Sequence, residues 1–552
     1  MKKIYTLAMS LGLCALSSEV NAQIGAPFIH DPSTIVECDG KYYTFGTGGG
    51  GLISEDGWSW HSGAQRPGGG AAPDAMKIGD RYLIAYSATG GGLGGGHAGR
   101  VLTMWNKTLD PSSPDFKFTE AIEVASSETD EDCDAIDAGL LLDPNTGKLW
   151  LTYGTYFGFI RLVELDPKTG ERVKGNKALD VAIDCEATDL IYKDGWYYLL
   201  GTHGTCCDGV NSTYNIVVGR SKKVTGPYLD NMGRDMIKGG GKMVINASER
   251  LAGPGHFGRV VIEDGVEKMS CHFEADFDQG GRSTLGIRPL LWRNGWPVAG
   301  ELLRQGCYEI ESERRGYSLE LSVDFVRLEV PRRGGFGGMM GFGGFGGFGA
   351  NRPANGQPGA PQGAPQPGNR PAGAPQGAPA GFGGMGGFGA APQGAARPAQ
   401  AQEAPKPIAQ QRLIDVWDSW PKGNIWARMG DYMARPHQKW TITEVTDSAG
   451  YLGGLYYKIQ INGTDRALAV TDDAQVITVP KYTGANEQLW RIDQLTDGTY
   501  RIVPKVQKFE GLDIKGTIAL VSAGDCTPAL AQFDFSSDNS KWNLKYIFEE
   551  NK

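Results

Sequence analysis

Between residues 30 and 275, short apolar runs alternate with single polar positions in a pattern that recurs five times. The copies are HDPSTIVECDGKYYTFGT, PDAMKIGDRYLIAYSA, IDAGLLLDPNTGKLWLTYGT, CEATDLIYKDGWYYLLGT and GHFGRVVIEDGVEKMSCHF. Each runs from a polar residue through an apolar stretch and an acidic or glycine turn to a second apolar or aromatic stretch. β-Branched and aromatic runs flanking Asp-Gly and similar turn residues predict one β-hairpin per copy. The residues that open the copies are Asp31, Asp74, Asp137, Glu186 and His256. In three copies the opener precedes the turn aspartate by eight residues: Asp31 to Asp39, Glu186 to Asp194, and His256 to Asp264. A repeated hairpin with its polar residue at the strand start implies a radial array whose openers converge at one end. The expected class is all-β, with a five-bladed β-propeller over residues 23–304.

The last third holds a second repeat. Trp440, Trp490 and Trp542 end the triplets QKW, QLW and SKW, about fifty residues apart. Upstream of them stand Tyr308 with Ile310, Tyr457 with Ile459, and Tyr500 with Ile502, leading on to Leu319, Leu468 and Leu512. Three such units predict a β-trefoil over residues 305–547, with each tryptophan filling the shared core. Residues 334–407 are almost wholly Gly, Pro, Ala and Gln with scattered Phe and Met. Such a tract buries too little apolar surface to offset its ordering entropy, so disorder is expected there. Its position makes it an insertion in the first trefoil lobe, which loop-closure entropy tolerates.

The opening segment MKKIYTLAMSLGLCALSSEVNAQ has two lysines, an apolar stretch and small residues before Ala22. It predicts a signal peptide over residues 1–22, and therefore export to the periplasm or the medium. Cys14 raises a surface-lipoprotein alternative, against which the bulky Leu13 stands. No apolar stretch is long enough for a transmembrane helix. With Cys14 removed, eight cysteines remain, which suits some disulfides in an exported chain. The adjacent Cys206 and Cys207 are expected not to bond each other readily, and no CxxC pair points to structural zinc. A net charge of -9 argues against a nucleic-acid partner, whose phosphates demand a basic face. The segments GTGGGGLISEDG and ATGGGLGGGHAGR precede no helix, so they read as open-cleft loops rather than phosphate cradles.

Hydrolysis of a glycosidic bond needs two carboxyl groups, one protonated and one ionised. Asp31, Asp137 and Glu186 supply carboxyls from three separate hairpins. The strings HDPSTI, AIDAGLLLDPNTGKLWLTYG and DCEATDLIYKDGWYYLLGTHGTCCDGVNSTYNIVVGRSKKVTGPY resemble the three acid motifs of glycoside hydrolase family 43, and the likeness to its arabinanases is closest. GTHGTCCDGVNSTY and LGIRPLLWRNGWPV extend the resemblance over roughly residues 28 to 303. The resemblance implies an inverting hydrolase with Asp31 as general base, Glu186 as general acid and Asp137 as modulator of the acid's pKa and orientation. Asp74 and His256 would bind substrate, with capping as the alternative for His256. His272 resembles a histidine that holds calcium in the propeller channel; the other reading is a hydrogen-bonded core histidine. The chemistry itself would require no cofactor.

Two positions depart from the family pattern. Ala72 stands where a tryptophan often precedes the Pro73-Asp74 pair, and Ala138 replaces the usual proline. The QxW triplets resemble ricin B-type lectins, with Ser540 as a departure in the third copy. The substrate class implied is a plant cell-wall oligo- or polysaccharide bearing α-L-arabinofuranosyl groups. A β-D-galactofuranosidase or β-xylosidase on the same scaffold, or a non-catalytic carbohydrate-binding protein, are the alternatives.

Overall fold

The computed structural model describes residues 24–88, 98–128, 134–156, 158–323, 417–452, 454–524 and 527–548. The expected signal peptide and the Gly/Pro-rich tract lie outside them.

Among the described residues the first part of the chain forms five antiparallel blades around a channel, a β-propeller. The inner strands are Val36–Cys38, Ala71–Ile78, Gly139–Leu142, Glu186–Lys193 and Leu251–Glu263, each followed by three more strands moving outward. These are the five hairpins of the repeat. Asp39 and Gly40 (φ 53° and 77°), Asp194 and Gly195 (50° and 78°), and Asn294 and Gly295 (54° and 71°) occupy left-handed backbone between paired strands. That is the two-residue turn whose twist matches a hairpin.

Blades stack face to face, so strands buried on both sides read as continuous apolar runs; Leu149–Tyr153 is buried at every position. Ring closure uses the N-terminal segment. Ile24–Gly25 pairs in parallel with Ser59–Gln65 at the outer edge of the first blade. Two residues on, Leu285 of the fifth blade donates its amide to Pro27 O at 2.8 Å. One short segment thus ties the first blade to the last.

The second part is a β-trefoil. Gly306–Ser312, Trp440–Tyr451, Gly454–Ile461, Trp490–Gln494, Tyr500–Pro504 and Trp542–Tyr546 pair in a closed cycle. Trp440, Trp490 and Trp542 are all 0% exposed. Their Nε1–H groups donate to the carbonyls of Leu319, Leu468 and Leu520 at 2.8, 3.0 and 2.8 Å. The third lobe therefore uses Leu520 where the sequence pattern suggested Leu512. Ser540, the departure from QxW, takes the Asp534 amide at 3.3 Å, much as Gln488 takes that of Thr483 at 2.7 Å. Leu321 pairs with Ala427, so the chain between them connects two strands of the first lobe's hairpin.

Propeller and trefoil share a buried seam. Trp292 donates its amide to Thr496 O, and Thr496 returns its own to Gly265 O, at 2.7 and 2.9 Å. Leu452 joins Ile35, Leu52, Trp60 and Leu285 in the apolar contact between the first and fifth blades. Asp493 accepts from Arg491 and Arg501 at 3.0 and 2.8 Å. Buried Lys268 of the fifth blade adds to the field that holds Asp493 down.

Candidate active site

In each inner strand or a few residues before it, one residue is forced into left-handed backbone. Asp31, Ala72, Asp137, Ala187 and His256 have φ of 50°, 42°, 61°, 47° and 61°. A non-glycine residue there costs on the order of 1–3 kcal/mol and needs surrounding structure to hold it. The hold is an inter-blade hydrogen bond repeated around the ring. The amide of Asp31 donates to His272 Nδ1 at 3.0 Å, that of Ala72 to Thr47 Oγ1 at 3.0 Å, that of Asp137 to Ser87 Oγ at 2.9 Å, and that of His256 to Thr202 Oγ1 at 3.0 Å. Each acceptor lies in, or just beyond, the second strand of the preceding blade. Between the third and fourth blades the Ala187 amide goes to Asp137 Oδ2 at 3.2 Å.

The three acids share one field but are treated differently. Burial works to raise the pKa of Asp31, yet hydrogen bonding to His256 and His30 and the charge of His30 hold it well below the usual carboxylate range. His30 Nδ1 lies 2.9 Å from Asp31 Oδ2, and Thr47 Oγ1 donates to the same oxygen at 2.6 Å. His256 Nδ1 stands 3.6 Å from Asp31 Oδ1. Glu186 moves the other way. Burial and the charge of Asp31 push it up to about 7, against a hydrogen bond donated by the Tyr214 hydroxyl. Asp137 is raised well above its ordinary value by burial, then by the charges of Glu186 and Asp31. One carboxylate is therefore kept ionised beside two that favour a proton, which is how a site sorts its base from its acid.

Behind Asp31 stands a pair absent from the sequence reading. His30 bridges Asp31 and Glu274, its Nε2 lying 3.1 Å from Glu274 Oε1. Burial works against its charge, but the two carboxylates raise its pKa to about 10, so it is an imidazolium. Glu274, which burial would raise, is held down to about 2 by His272 and His30.

Asp74, expected to bind substrate, has another task. It is 4% exposed, and its two oxygens accept the amides of Thr34 at 3.1 Å and Leu140 at 2.9 Å. It braces three blades through both carboxylate oxygens. Ala72 is buried at 2% exposure and offers no stacking wall. Much of GTGGGGLISEDG is not a loop: Gly50–Ser54 is a strand, and a tight turn precedes it. Gly51 sits so close to Thr44 that a Cβ would lie 2.2 Å from the Thr44 carbonyl oxygen. Residues 89–97 of the second glycine-rich segment lie outside the described residues. Cys206 and Cys207, contrary to expectation, are joined in a disulfide, which the left-handed backbone of Cys207 (φ 62°) accommodates.

His272 is fully buried and the His30 ring stacks on it, centroids 4.5 Å apart. Its Nδ1 lone pair accepts the Asp31 amide, so the ring proton is on Nε2. The ring has no lone pair for a cation, and the His30 charge lies against it. Calcium, which takes mainly oxygen ligands, does not fit this donor set.

His30, Glu274 and Tyr214 carry no signal in the repeat. Thr47 and Thr202 do, since each closes its quoted copy sixteen residues after the opener.

The family model for glycosyl hydrolases family 43 matches residues 44–297, and that for ricin-type beta-trefoil lectin-like domains matches residues 436–524. The chain is 30% identical over 307 residues to an extracellular exo-alpha-(1->5)-L-arabinofuranosidase of Cellvibrio japonicus, spanning 50% of this chain and 86% of that protein. It is 32% identical over 230 residues to an extracellular endo-alpha-(1->5)-L-arabinanase of Bacillus subtilis, spanning 41% and 67%. A crystal structure of an exo-1,5-alpha-L-arabinanase from a bovine ruminal metagenomic library aligns at 31% identity and a TM-score of 0.45, over 50% of this chain and 97% of that one.

Proposed function

The chain belongs to glycosyl hydrolase family 43, and on that footing we propose that it is an exported, inverting hydrolase of α-L-arabinofuranosidic bonds in arabinan or arabinose-bearing plant polysaccharide. The observation that carries the reading is the opposite treatment of Asp31 and Glu186, one held far below the carboxylate range and the other pushed up to about 7.

In this mechanism Asp31 stays ionised and takes a proton from the attacking water. The His30 and Thr47 hydrogen bonds fix the carboxylate's plane, and the imidazolium keeps it charged. Glu186 delivers its proton to the departing glycosidic oxygen, and Asp137 modulates that acid's pKa and orientation. The Tyr214 hydroxyl orients Glu186 and stabilises the carboxylate left after transfer. Asp31 and Glu186 come from the first and fourth blades, and inversion requires them to stand roughly 6.5–9.5 Å apart, with water between base and sugar. The arabinanase and arabinofuranosidase activities of the relatives support the sugar, and their description as extracellular supports export.

Proton NMR of the first product from a nitrophenyl α-L-arabinofuranoside or linear arabinan tests both parts. A β-anomer appearing first is expected. Release of the α-anomer, or a glycosyl ester trapped on Asp31, would overturn the assignment of Asp31 as base. Faster cleavage of galactofuranoside or xyloside would move the sugar assignment.

A further inference from the structure

Beside the base lies a cluster of which the hydrolytic mechanism uses only His30. Cys206 and Cys207 form a disulfide on the segment between the strands ending at His203 and starting at Asn215. Cys206 is half-buried and Cys207 exposed, whereas Cys38, Cys185, Cys271 and Cys307 are all buried. Both sulfurs, a ring nitrogen of His30 and a carboxylate oxygen of Glu274 lie within 4.8 Å of one another. The Cys207 amide also donates to Glu274 Oε1 at 3.1 Å, the oxygen that His30 Nε2 faces.

We propose that Cys206 and Cys207, once reduced, complete with His30 and Glu274 a site for a thiophilic divalent cation, and that filling it disables the base. Two sulfurs, one imidazole nitrogen and one carboxylate oxygen are the donor types and the number that a zinc-like ion takes in a tetrahedral site. Calcium, which wants oxygens, is excluded by the same set.

The bridge gates the site. An exposed disulfide is open to attack by a thiolate, and a buried one is not. A dithiol reductant cleaves the Cys206–Cys207 bond, gives each sulfur a hydrogen, and leaves as its own disulfide. The cation then displaces the thiol protons and the proton on His30 Nε2, all of which go to water. His30 keeps its Nδ1 side toward Asp31 but loses its bond to Glu274. The ring that fixed the plane of Asp31 is held by the cation and re-aimed, so the base loses its orientation. In an oxidising compartment the bridge keeps the cation out and the enzyme on.

The inhibitory half rests on the hydrolase reading, so the experiment reads metal binding separately from activity. Full-length protein is prepared oxidised, or reduced with dithiothreitol and desalted under nitrogen, then titrated with cobalt(II). Reduced protein is expected to take up about one equivalent with a sulfur-to-cobalt charge-transfer band in the near ultraviolet. Arabinofuranoside hydrolysis should fall about ten-fold or more in step with the band, and EDTA should restore it. Oxidised protein and the Cys206→Ser/Cys207→Ser double variant should show no band. A reduced protein without the band, or a band that persists in the double variant, overturns the site. A band with undiminished hydrolysis overturns the link to the base.

Discussion

The Thr47 hydroxyl donates to Asp31 Oδ2 at 2.6 Å and accepts the Ala72 amide at 3.0 Å. One side chain therefore holds the proposed base and the kinked start of the next blade at once. Thr47→Val keeps the shape and removes both bonds. We expect kcat to fall by about ten- to a hundred-fold, the scale that a small misplacement of a reacting group produces. KM should change little and Thr47→Ser should recover most of the loss. Equal losses in the valine and serine variants would make the residue merely structural.

Removing any acid should be costlier. Asp31→Ala, Asp137→Ala and Glu186→Ala are each expected to lose about 10²–10⁴-fold in turnover with folding intact. The Glu186 variant should recover most on aryl glycosides whose leaving group needs no protonation. Circular dichroism checks the fold, and near wild-type turnover in any variant removes that residue from the mechanism.

The pH profile follows from the directions of the shifts. Glu186 must be protonated to act and is raised to about 7, so kcat/KM should fall as pH rises through about 7. Asp31 must be ionised and lies well below the carboxylate range, so the acid limb should appear only at strongly acidic pH. The Tyr214 hydroxyl stabilises the Glu186 carboxylate, so Tyr214→Phe should move the alkaline limb upward. A limb that stays put or moves down would contradict that hydrogen bond.

The seam between propeller and trefoil should be visible in stability. Asp493 is 2% exposed beside Arg491, Arg501 and Lys268. Asp493→Asn removes one of the two carboxylates that Arg491 and Arg501 face, Glu263 being the other, and breaking a buried pair costs on the order of 3–5 kcal/mol. Urea unfolding should show the first transition at lower denaturant. Burial raises Asp493 but the three cations bring it down to about 2. A depressed carboxyl stabilises the fold above its unfolded pKa and loses that effect as pH falls toward about 2. The difference between the two proteins should therefore shrink in acid.

Periodicity carried the fold, because a propeller blade and a trefoil lobe are local units repeated in the chain. Asp-Gly turns set each hairpin, and the QxW spacing set each lobe. Asp31, Asp137 and Glu186 were legible because each opens a copy of the same phrase. What the phrase could not say is which openers face the channel. Asp74 stands in the same position as the catalytic-type acids, yet its oxygens meet the Thr34 and Leu140 amides, and only the packing of three blades decides that. His30 and Glu274 are 244 residues apart and become partners only when the first and fifth blades close the ring. The same closure makes His30 a cation and denies His272 a free lone pair. Sequence alone determined where the polar side chains start each strand, since that depends on neighbours along the chain. Their charge and partners depend on neighbours across it, and those exist only after the ring has closed.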